Sequence, residues 1–394
     1  PYTTLFRSDR NRMTSSPVRL PDPSAQSPLP PEALRLRRVH RAASDLRRGL
    51  PVLIDGPTPL VLIAAETAGD DGIGELAALT DGPPLLLLAP VRAAAVLHRP
   101  VEQGVAAVAA HMPADLLSPE PLRSLADPTA PPLKGRPTLE PASTPALAPA
   151  AIALLKIGRL LPTAVAAPAR ADIGSRLADR ALVAVAAEDV LAYPAAEALV
   201  LRRIAAADVP LADAPESRIV AFRAEGSGVE HLAIVIGKPG TAAAPLVRLH
   251  SECFTGDLLG SMRCDCGEQL RGALRRMAEE GAGVLLYLAQ EGRGIGLVNK
   301  LRAYALQDRG LDTLDANRVL GWGADERNFM IAATMLQQLG LTEVRLLTNN
   351  PDKLAALQAC GIAVVGREAH AFAPNGVNDE YLATKAARFG HLLD

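Results

Sequence analysis

The stretch Glu268–Leu297, EQLRGALRRMAEEGAGVLLYLAQEGRGIGL, contains the two periodicities from which α/β folds are built. Apolar side chains recur at i, i+3, i+4 and i+7 from Leu270, which predicts an amphipathic helix that ends near Gly281. GVLLYL (Gly283–Leu288) then predicts a buried strand, and a glycine-rich turn follows it. A helix, a strand and a turn in this order indicate an α/β domain.

The same alternation continues to the carboxyl terminus. Further helices are predicted over 297–308, 326–338 and 351–359, and further strands over 344–348 and 362–365. We therefore predict a carboxyl-terminal α/β domain over 215–394, with a mixed, partly parallel sheet flanked by helices.

The amino-terminal half divides by composition. Residues 32–206 are predicted to form a second α/β domain, with strands at ALVAVAA (181–187) and ALVLRRI (198–204). Within it, residues 112–170 are so dense in Pro and Ala that we expect a long loop or linker with at most short helices.

The first 31 residues are expected to lie outside the fold. PYTTLFRS (1–8) resembles the translation of a sequencing adapter, so we expect an artefact there and a true start at Met13. The Ser/Pro-rich segment from Met13 to Pro31 is expected to be a disordered leader.

Charge and hydropathy restrict the class of protein. The formal net charge is −2 and no long basic run is present, which argues against a nucleic-acid binder. The uncharged apolar runs are far shorter than the roughly 18–20 residues of a membrane span. Four cysteines in 394 residues form no disulfide framework, so we expect a cytoplasmic protein.

Three of the four cysteines lie close together. Cys253, Cys264 and Cys266 have the spacing C-x10-C-x-C, and thiolates are ligands that suit zinc. Three protein ligands leave one tetrahedral position open, which favours a catalytic zinc. The spacing leaves open a structural zinc and three unrelated reduced cysteines. Cys360 is distant and is interpreted as a small buried apolar residue.

Two strand-to-helix turns are candidates for phosphate binding. QEGRGIG (Gln290–Gly296) lets backbone approach an anion at a helix N-terminus, and Arg293 would pair with phosphate. In TNNPDK (Thr348–Lys353), Asn350 is a natural N-cap and Lys353 adds a charge in the first turn. A structural turn and a plain helix cap remain the alternatives.

A third stretch, GWGADERNF (Gly321–Phe329), places Asp325, Glu326 and Arg327 at a predicted helix start. Acidic residues there complement the helix dipole, so capping is one interpretation. On physical chemistry alone Arg327 is interpreted as a phosphate binder, because a guanidinium stays protonated in water.

Taken together, these motifs resemble the GTP cyclohydrolase II family of riboflavin biosynthesis. The resemblance runs from about Ile219 to the carboxyl terminus with every motif in order: RLHSEC, TGD, MRCDCGEQL, QEGRGIGL, NKLRAYALQD, DTLDAN, ADER, VRLLTNNPDK and NDEYLATKAARFGHLL. It implies a homodimeric hydrolase that converts GTP to 2,5-diamino-6-(5-phospho-ribosylamino)pyrimidin-4(3H)-one, formate and pyrophosphate.

The resemblance also implies roles for individual residues. Cys253, Cys264 and Cys266 would bind one Zn²⁺ per subunit, with water activated there attacking C8 of guanine. Asp325 would accept a proton, and Arg327 would attack the α-phosphate, which revises the interpretation above. Mg²⁺ would accompany the triphosphate. The implied GTP-contacting residues are Arg248, Leu249, His250, Ser251, Glu252, Gln269, Glu291, Gly292, Arg293, Tyr304, Thr313, Thr348 and Lys353.

The amino-terminal half faintly resembles 3,4-dihydroxy-2-butanone 4-phosphate synthase. That family needs a strongly acidic loop after its first strand, whereas DGPTPL (Asp55–Leu60) holds a single acid, and the family's HT pair is absent. We therefore expect a degenerate, non-catalytic domain.

Two other functions remain as alternatives. One is a bifunctional enzyme that also makes the butanone phosphate, and the other is a zinc-stabilised GTP sensor without turnover. A zinc module for nucleic acid ranks last because of the charge balance.

Overall fold

The computed structural model describes residues 31–102, 104–133, 138–179, 182–390 and 392. The expected artefact and nearly all of the expected leader lie outside these residues. Pro31, the last leader position, begins the first helix. The described residues form two seven-stranded sheets with helices packed against them.

The first sheet has the strand order β5-β4-β3-β6-β2-β1-β7. All neighbouring pairs are antiparallel except β1 with β7. Its central strands are almost wholly buried, as their continuous apolar sequences require. The strands are β1 (Val52–Asp55), β2 (Leu60–Ala64), β3 (Leu85–Leu88), β4 (Val108–His111), β5 (Pro141–Ala142), β6 (Thr163–Pro168) and β7 (Val183–Ala186).

Eight helices accompany this sheet in the described residues. The longest, α1, buries Leu36, Val39, Ala43 and Leu46 on one face, the spacing of an amphipathic helix. The helices are α1 (Pro31–Arg47), α2 (Asp70–Leu79), α3 (Pro90–Val96), α4 (Pro119–Ala126), α5 (Ala148–Ile157), α6 (Ile173–Asp179), α7 (Ala187–Leu191) and α8 (Tyr193–Leu199).

The expectation of a linker over residues 112–170 is wrong. This segment contributes β6, which pairs with β2 and β3 at the centre of the sheet, and α5, which is mostly buried. Its prolines stand in the first turns of α4 and α5, where a missing N–H costs nothing. Alanine is the best helix former, so an Ala/Pro composition is compatible with regular structure.

The second sheet is mixed, as predicted, with the order β14-β13-β11-β12-β10-β9-β8. β11, β12, β13 and β14 pair in parallel with one another, and β8, β9 and β10 form an antiparallel meander whose strand β10 pairs antiparallel with β12. The strands are β8 (Leu201–Asp208), β9 (Ser217–Ala224), β10 (Glu230–Gly237), β11 (Leu246–Ser251), β12 (Ala282–Leu288), β13 (Glu343–Leu347) and β14 (Ala363–Glu368).

One predicted strand changes sheet. ALVLRRI was expected in the first domain, but its residues from Leu201 onward form β8 and pair with β9. The second sheet therefore begins before the predicted boundary at residue 215. Alternating exposure does not report which sheet a strand joins, because pairing partners are set by contacts distant in sequence.

The helices of the second half follow the predicted pattern. Gly281, Gly340 and Gly361 end helices with φ between 77° and 83°, a region that favours glycine. One start differs: the predicted helix over 326–338 begins at Phe329. The helices are α9 (Cys266–Glu280), α10 (Leu297–Gln307), α11 (Thr313–Val319), α12 (Phe329–Gln338), α13 (Pro351–Ala359) and α14 (Asp379–Phe389).

The two halves share buried contacts. One apolar cluster joins Leu88 and Ala93 of the first half to Leu306 and Trp322 of the second. Near it Arg302 forms ion pairs with Glu66 and Asp127, at N–O distances of 2.8 and 2.7 Å. Within the described residues no helix is long and apolar enough to cross a membrane.

Candidate active site

The carboxyl ends of the parallel strands β11, β12 and β13 meet at one edge of the second sheet. Ligands of α/β proteins bind outside this edge. The turns that follow β12 and β13 are QEGRGIG and TNNPDK, and Cys253 follows β11 by two residues. Strand topology therefore brings together motifs that are about 100 residues apart in sequence.

Cys253, Cys264 and Cys266 form one cluster, with their sulfur atoms within 4.8 Å of one another. The Cys253 and Cys264 sulfurs are 3.8 Å apart. A tetrahedral site with Zn–S bonds of about 2.3 Å has sulfur–sulfur edges of about 3.8 Å. The spacing of the thiols thus fits a zinc ion. Cys360 lies at the end of α13, outside the cluster.

Gly256 closes one side of the cysteine cluster. A Cβ atom there would lie 2.8 Å from the Cys264 sulfur and 2.9 Å from the Cys253 sulfur. Both distances are shorter than real Cβ contacts. The loop after Cys253 therefore leaves just enough space for three sulfur atoms, and only glycine fits.

A buried carboxylate holds this loop in place. Asp257 accepts hydrogen bonds from the Cys253 amide at 3.0 Å and from the Tyr287 hydroxyl at 3.0 Å. Nε2 of His250 lies 3.1 Å from both Asp257 oxygens. Such contacts around metal ligands fix their orientation.

Lys300 projects from α10 into the cluster. Its ammonium lies 3.1 Å from the Cys253 sulfur and donates to Thr255 and Glu291 at 3.0 and 2.9 Å. Burial alone would lower its pKa, but the bond to Glu291 and the charge of Cys253 outweigh burial and raise it. The ammonium is therefore a fixed positive charge beside the thiols.

A cleft with an empty volume of about 1040 Å³ opens beside the cluster. Six cationic side chains and two carboxylates line it in the described residues, a balance that suits a polyanion. Every site residue predicted from the sequence lines this cleft except Asp325. The cations are Arg248, Arg293, Lys300, Arg327, Lys353 and Lys385.

Two of these cations are buried without a carboxylate partner in the part of the chain that the structure describes. Arg248 bonds to the Leu347 carbonyl and to Gln269, and its Nε has no partner. Lys353 donates to the Leu249 carbonyl at 2.7 Å. Burial lowers the pKa of Arg248 to about 10 and that of Lys353 well below its usual value. An anionic ligand would neutralise both charges.

The QEGRGIG turn has an unusual backbone. Gly292, Arg293, Gly294 and Gly296 all have φ between 63° and 99°. This conformation is unfavourable for Arg293, a non-glycine residue, by about 1–3 kcal/mol. Backbone strain of this kind concentrates at ligand sites, which supports a phosphate-binding role.

In TNNPDK the predicted helix cap is present, and the phosphate contact stays a prediction. Asn350 caps α13 by accepting from the Asp352 amide, and the Thr348 hydroxyl accepts from the Asn350 amide. Lys353, one turn later, lines the cleft. The cap positions the start of α13, and the start of α13 presents the lysine.

The ADER segment does not cap a helix. Asn328 is the N-cap of α12, since its side chain accepts from the Met330 amide, so Asp325 and Glu326 precede the helix. Arg327 donates from Nε to Asp325 Oδ1 at 2.8 Å and from Nη2 to Oδ2. Its Nη1 lies 3.5 Å from Ser251 Oγ. Asp325 therefore aims Arg327 into the cleft.

Known proteins resemble this chain over both halves. The family model described as GTP cyclohydrolase II matches residues 202–369. A protein named GTP cyclohydrolase-2 from Azospirillum brasilense is 46% identical over 376 residues, which are 93% of this chain and 96% of that protein. The chain belongs to the GTP cyclohydrolase II family. The prediction that it is an enzyme of this class is thereby confirmed.

Shorter relatives in the GTP cyclohydrolase II family match only part of the chain. Proteins named GTP cyclohydrolase-2 from Enterobacter and from Pectobacterium atrosepticum are 51% and 52% identical, each over 49% of this chain and 98% of their own length. Half of this chain accounts for almost the whole length of these relatives. They therefore have no counterpart of its other half.

Comparison with solved structures adds little to these sequence similarities. A two-domain 3,4-dihydroxy-2-butanone 4-phosphate synthase from A. baumannii is 16% identical, covers 84% of this chain and 99% of its own, and has a TM-score of 0.33. Likeness at this score carries no argument about activity. The resemblance of the amino-terminal half to that synthase stays a prediction.

Several residues that support the cysteine cluster and the cleft were not predicted from the sequence. Lys300 and Asp257 support the cysteine cluster, and Lys385 reaches the cleft from α14, bonded to Asp265 at 2.6 Å. Asp257 lies in the quoted TGD motif, four residues after a predicted ligand. That proximity is the signal by which it was detectable.

Proposed function

We propose that this chain hydrolyses GTP to 2,5-diamino-6-(5-phospho-ribosylamino)pyrimidin-4(3H)-one, formate and pyrophosphate. The observation that carries the proposal is one cleft that joins a three-thiol cluster to the carboxylate-paired Arg327. Alone, a thiol cluster also fits a structural metal, and a paired arginine also fits simple phosphate binding. Together they provide for hydrolysis of the two C8–N bonds of the base and for displacement of pyrophosphate at the α-phosphate.

Cys253, Cys264 and Cys266 are proposed to hold one zinc ion. Their 3.8 Å sulfur spacing and the space that Gly256 leaves support this. Zinc with three thiolate ligands retains one open position and supplies activated water for hydrolysis at C8 of the base. Lys300 stabilises the thiolates from the protein side.

The chain's own residues would bind GTP with the base at the cysteine end. Tyr304 and Lys300 lie there, with the ammonium 5.7 Å from the ring centre. The triphosphate would then meet Arg248 and Lys353, whose buried charges lack carboxylate partners in the described chain. Mg²⁺ is proposed to accompany the triphosphate.

Arg327 is proposed to attack the α-phosphorus through a guanidinium nitrogen. The new N–P bond replaces the bond to the bridging oxygen, pyrophosphate leaves with that electron pair, and the nitrogen's proton goes to Asp325. Water then cleaves the N–P bond: its oxygen goes to phosphorus, one of its protons returns to the Arg327 nitrogen, and Asp325 releases its proton to solvent. Burial acts to raise the Asp325 pKa, but bonds to Arg327 outweigh it and hold the pKa below its usual value. The carboxylate is therefore ionised at neutral pH, as a proton acceptor must be.

The test is to incubate the protein with GTP, Mg²⁺ and Zn²⁺ and to quantify formate and pyrophosphate together. Equal amounts per GTP consumed are expected. Pyrophosphate without formate would contradict hydrolysis at the base. Absence of both products would replace the proposal by a GTP sensor.

Gly256→Ala is expected to weaken zinc binding by about 10–100-fold, the range seen when support around a metal ligand is lost. The added methyl would overlap two sulfur atoms. Competition with a chromogenic chelator measures the affinity. Gly240→Ala is the matched control, because its Cβ would meet no atom within 4 Å. Equal zinc affinity in the two variants would contradict the site.

A homodimer is also proposed. Six large apolar side chains are exposed on the loop after Cys253 and on the start of α10, which is unusual for a surface facing water. These are Phe254, Leu258, Leu259, Met262, Val298 and Leu301. Light scattering on the eluting protein would report the mass.

All four cysteines are free thiols, in keeping with the proposed cytoplasmic location.

A further inference from the structure

The end of α5, in the amino-terminal half, contacts the ADER segment directly. Lys156 Nζ lies 2.5 Å from Glu326 Oε1, and both side chains are about one-quarter exposed. The lysine also lies 5.6 Å from the centre of the Trp322 ring. A side chain 170 positions earlier thus holds the residue immediately before Arg327.

Glu326 in turn ties the two active-site loops together. Its amide donates to the Arg293 carbonyl at 3.0 Å, and its carboxylate accepts from the Gly323 amide at 2.7 Å. The loops touch so closely that a Cβ on Gly294 would lie 2.7 Å from the Glu326 carbonyl oxygen. Movement of Glu326 would therefore move both loops.

Arg159 extends the same contact to the turn after β12. Its guanidinium donates to the Ala289 carbonyl at 2.7 Å, and its own carbonyl accepts from Asn299 at 2.9 Å. Arg159 has φ 56°, which is unfavourable outside glycine. Gly296 leaves the space for its side chain, since a Cβ there would lie 3.0 Å from Arg159 Cδ.

The active-site loops border open space on this side. Lys156, Arg159 and Glu326 line a second cleft, with an empty volume of about 1030 Å³. A loop that borders open space is held by its polar contacts rather than by close packing. Asn328 adds one more, donating to the Pro194 carbonyl at 2.7 Å.

We propose that Lys156, on the amino-terminal half, is a positioning residue for Arg327. The amino-terminal half thereby supports the loop that carries Arg327. The inference rests on the proposed function, because it concerns the rate of pyrophosphate release. It assigns Lys156 no contact with GTP.

The expected loss of rate on removal of the Lys156–Glu326 ion pair has an upper limit. Shorter GTP cyclohydrolase-2 relatives lack one half of this chain, so the family does not depend on both halves. A partly exposed ion pair is worth at most about 1 kcal/mol, which corresponds to a rate change of about 5-fold. Together with the loss of loop alignment, we expect a fall in kcat of about 5- to 10-fold.

The experiment compares Lys156→Met, Lys156→Arg and Glu326→Gln with the full-length protein. Lys156→Met is expected to lower kcat for pyrophosphate release by about 5- to 10-fold, with KM for GTP and zinc content unchanged and Tm lowered by no more than about 3 °C, and Lys156→Arg to restore kcat. Glu326→Gln keeps an acceptor for Gly323 and should match Lys156→Met. The double variant should lose no more than either alone.

Arg48→Met, which removes an exposed pair with Asp45, is the matched control and should leave kcat unchanged. An unchanged kcat in Lys156→Met, or additive losses in the double variant, would overturn the inference. So would parallel losses of Tm and zinc, which would indicate a purely structural contact. If the unaltered protein releases no pyrophosphate, the proposed function fails instead, so the two failures are distinguishable.

Discussion

Cys264→Ser is expected to abolish formate release, lowering its rate by at least about 1000-fold, or about 4 kcal/mol of barrier. A serine hydroxyl stays protonated near neutral pH and is a poor zinc ligand, while its oxygen sits closer to Cβ than sulfur does. Two thiolates remain, one fewer than an open catalytic site needs. Formate assays and zinc stoichiometry by atomic emission measure the two losses.

Cys360→Ser provides the matched control. It makes the same exchange at the end of α13, away from the sulfur cluster, and should retain one zinc per chain and full formate release. Stoichiometric zinc and undiminished formate release in Cys264→Ser would refute a role for the cluster.

The same variant separates a catalytic from a structural zinc. Both faces of the second sheet are packed, with Val247, Leu249 and Leu286 buried on one face and Leu246 and Leu285 buried on the other. We therefore expect Cys264→Ser to keep its circular dichroism spectrum while losing activity. Unfolding on loss of zinc would favour the GTP sensor, because structural zinc sites supply folding free energy.

Features that depend only on residues close together in the chain were predictable from the sequence. The spacing of Cys264 and Cys266 reports ligand chemistry directly, and helix ends at Gly281 and Gly361 follow from the conformational freedom of glycine. The start of α12 was not obtained, because Asp325 and Asn328 are equally plausible caps until their partners are known.

Lys300 shows why the buried side of the site was harder to predict from the sequence. On α10 the apolar Val298 and Leu301 point outward and are 60% and 50% exposed, whereas the polar Asn299 and Lys300 are buried. A periodicity argument places apolar residues inside and so assigns the wrong face. The inversion itself is the signal of a functional surface.

Contacts between segments that are distant in sequence leave no pattern in either segment from which they could be predicted. Lys156 ends an apolar helix within a stretch that composition alone assigned to a linker, and its partner Glu326 lies in the other half. Nothing in either neighbourhood specifies the other. Only the packing of the two halves against each other brings them together.

Arg327→Lys is expected to lower kcat for pyrophosphate release by about 1000-fold while raising KM for GTP less than about 5-fold. Lysine keeps the positive charge, so binding of the triphosphate changes little. It lacks the planar fork that bonds to both Asp325 oxygens, so its single nitrogen is neither aimed at the α-phosphorus nor relieved of its proton. Steady-state kinetics separates the two constants.

Arg345→Lys is the matched control, because Arg345 also pairs with carboxylates, Glu280 and Glu368, but lies outside the cleft lining. It should leave both constants unchanged. If Arg327 only binds phosphate, Arg327→Lys would instead raise KM and retain most of kcat.

A chemical trap distinguishes the two roles without relying on kinetics. Attack by Arg327 leaves the α-phosphoryl group on nitrogen, so rapid quenching with [α-³²P]GTP should label the protein with an acid-labile, base-stable bond. The label should be absent from Arg327→Lys, whose amine is held by no carboxylate fork and stays protonated. It should persist in Cys264→Ser, because the sulfur cluster supports the base-directed hydrolysis and Asp325 supports the attack on phosphorus. Label missing from the unaltered protein, with pyrophosphate still released, would show that water rather than Arg327 attacks the phosphate.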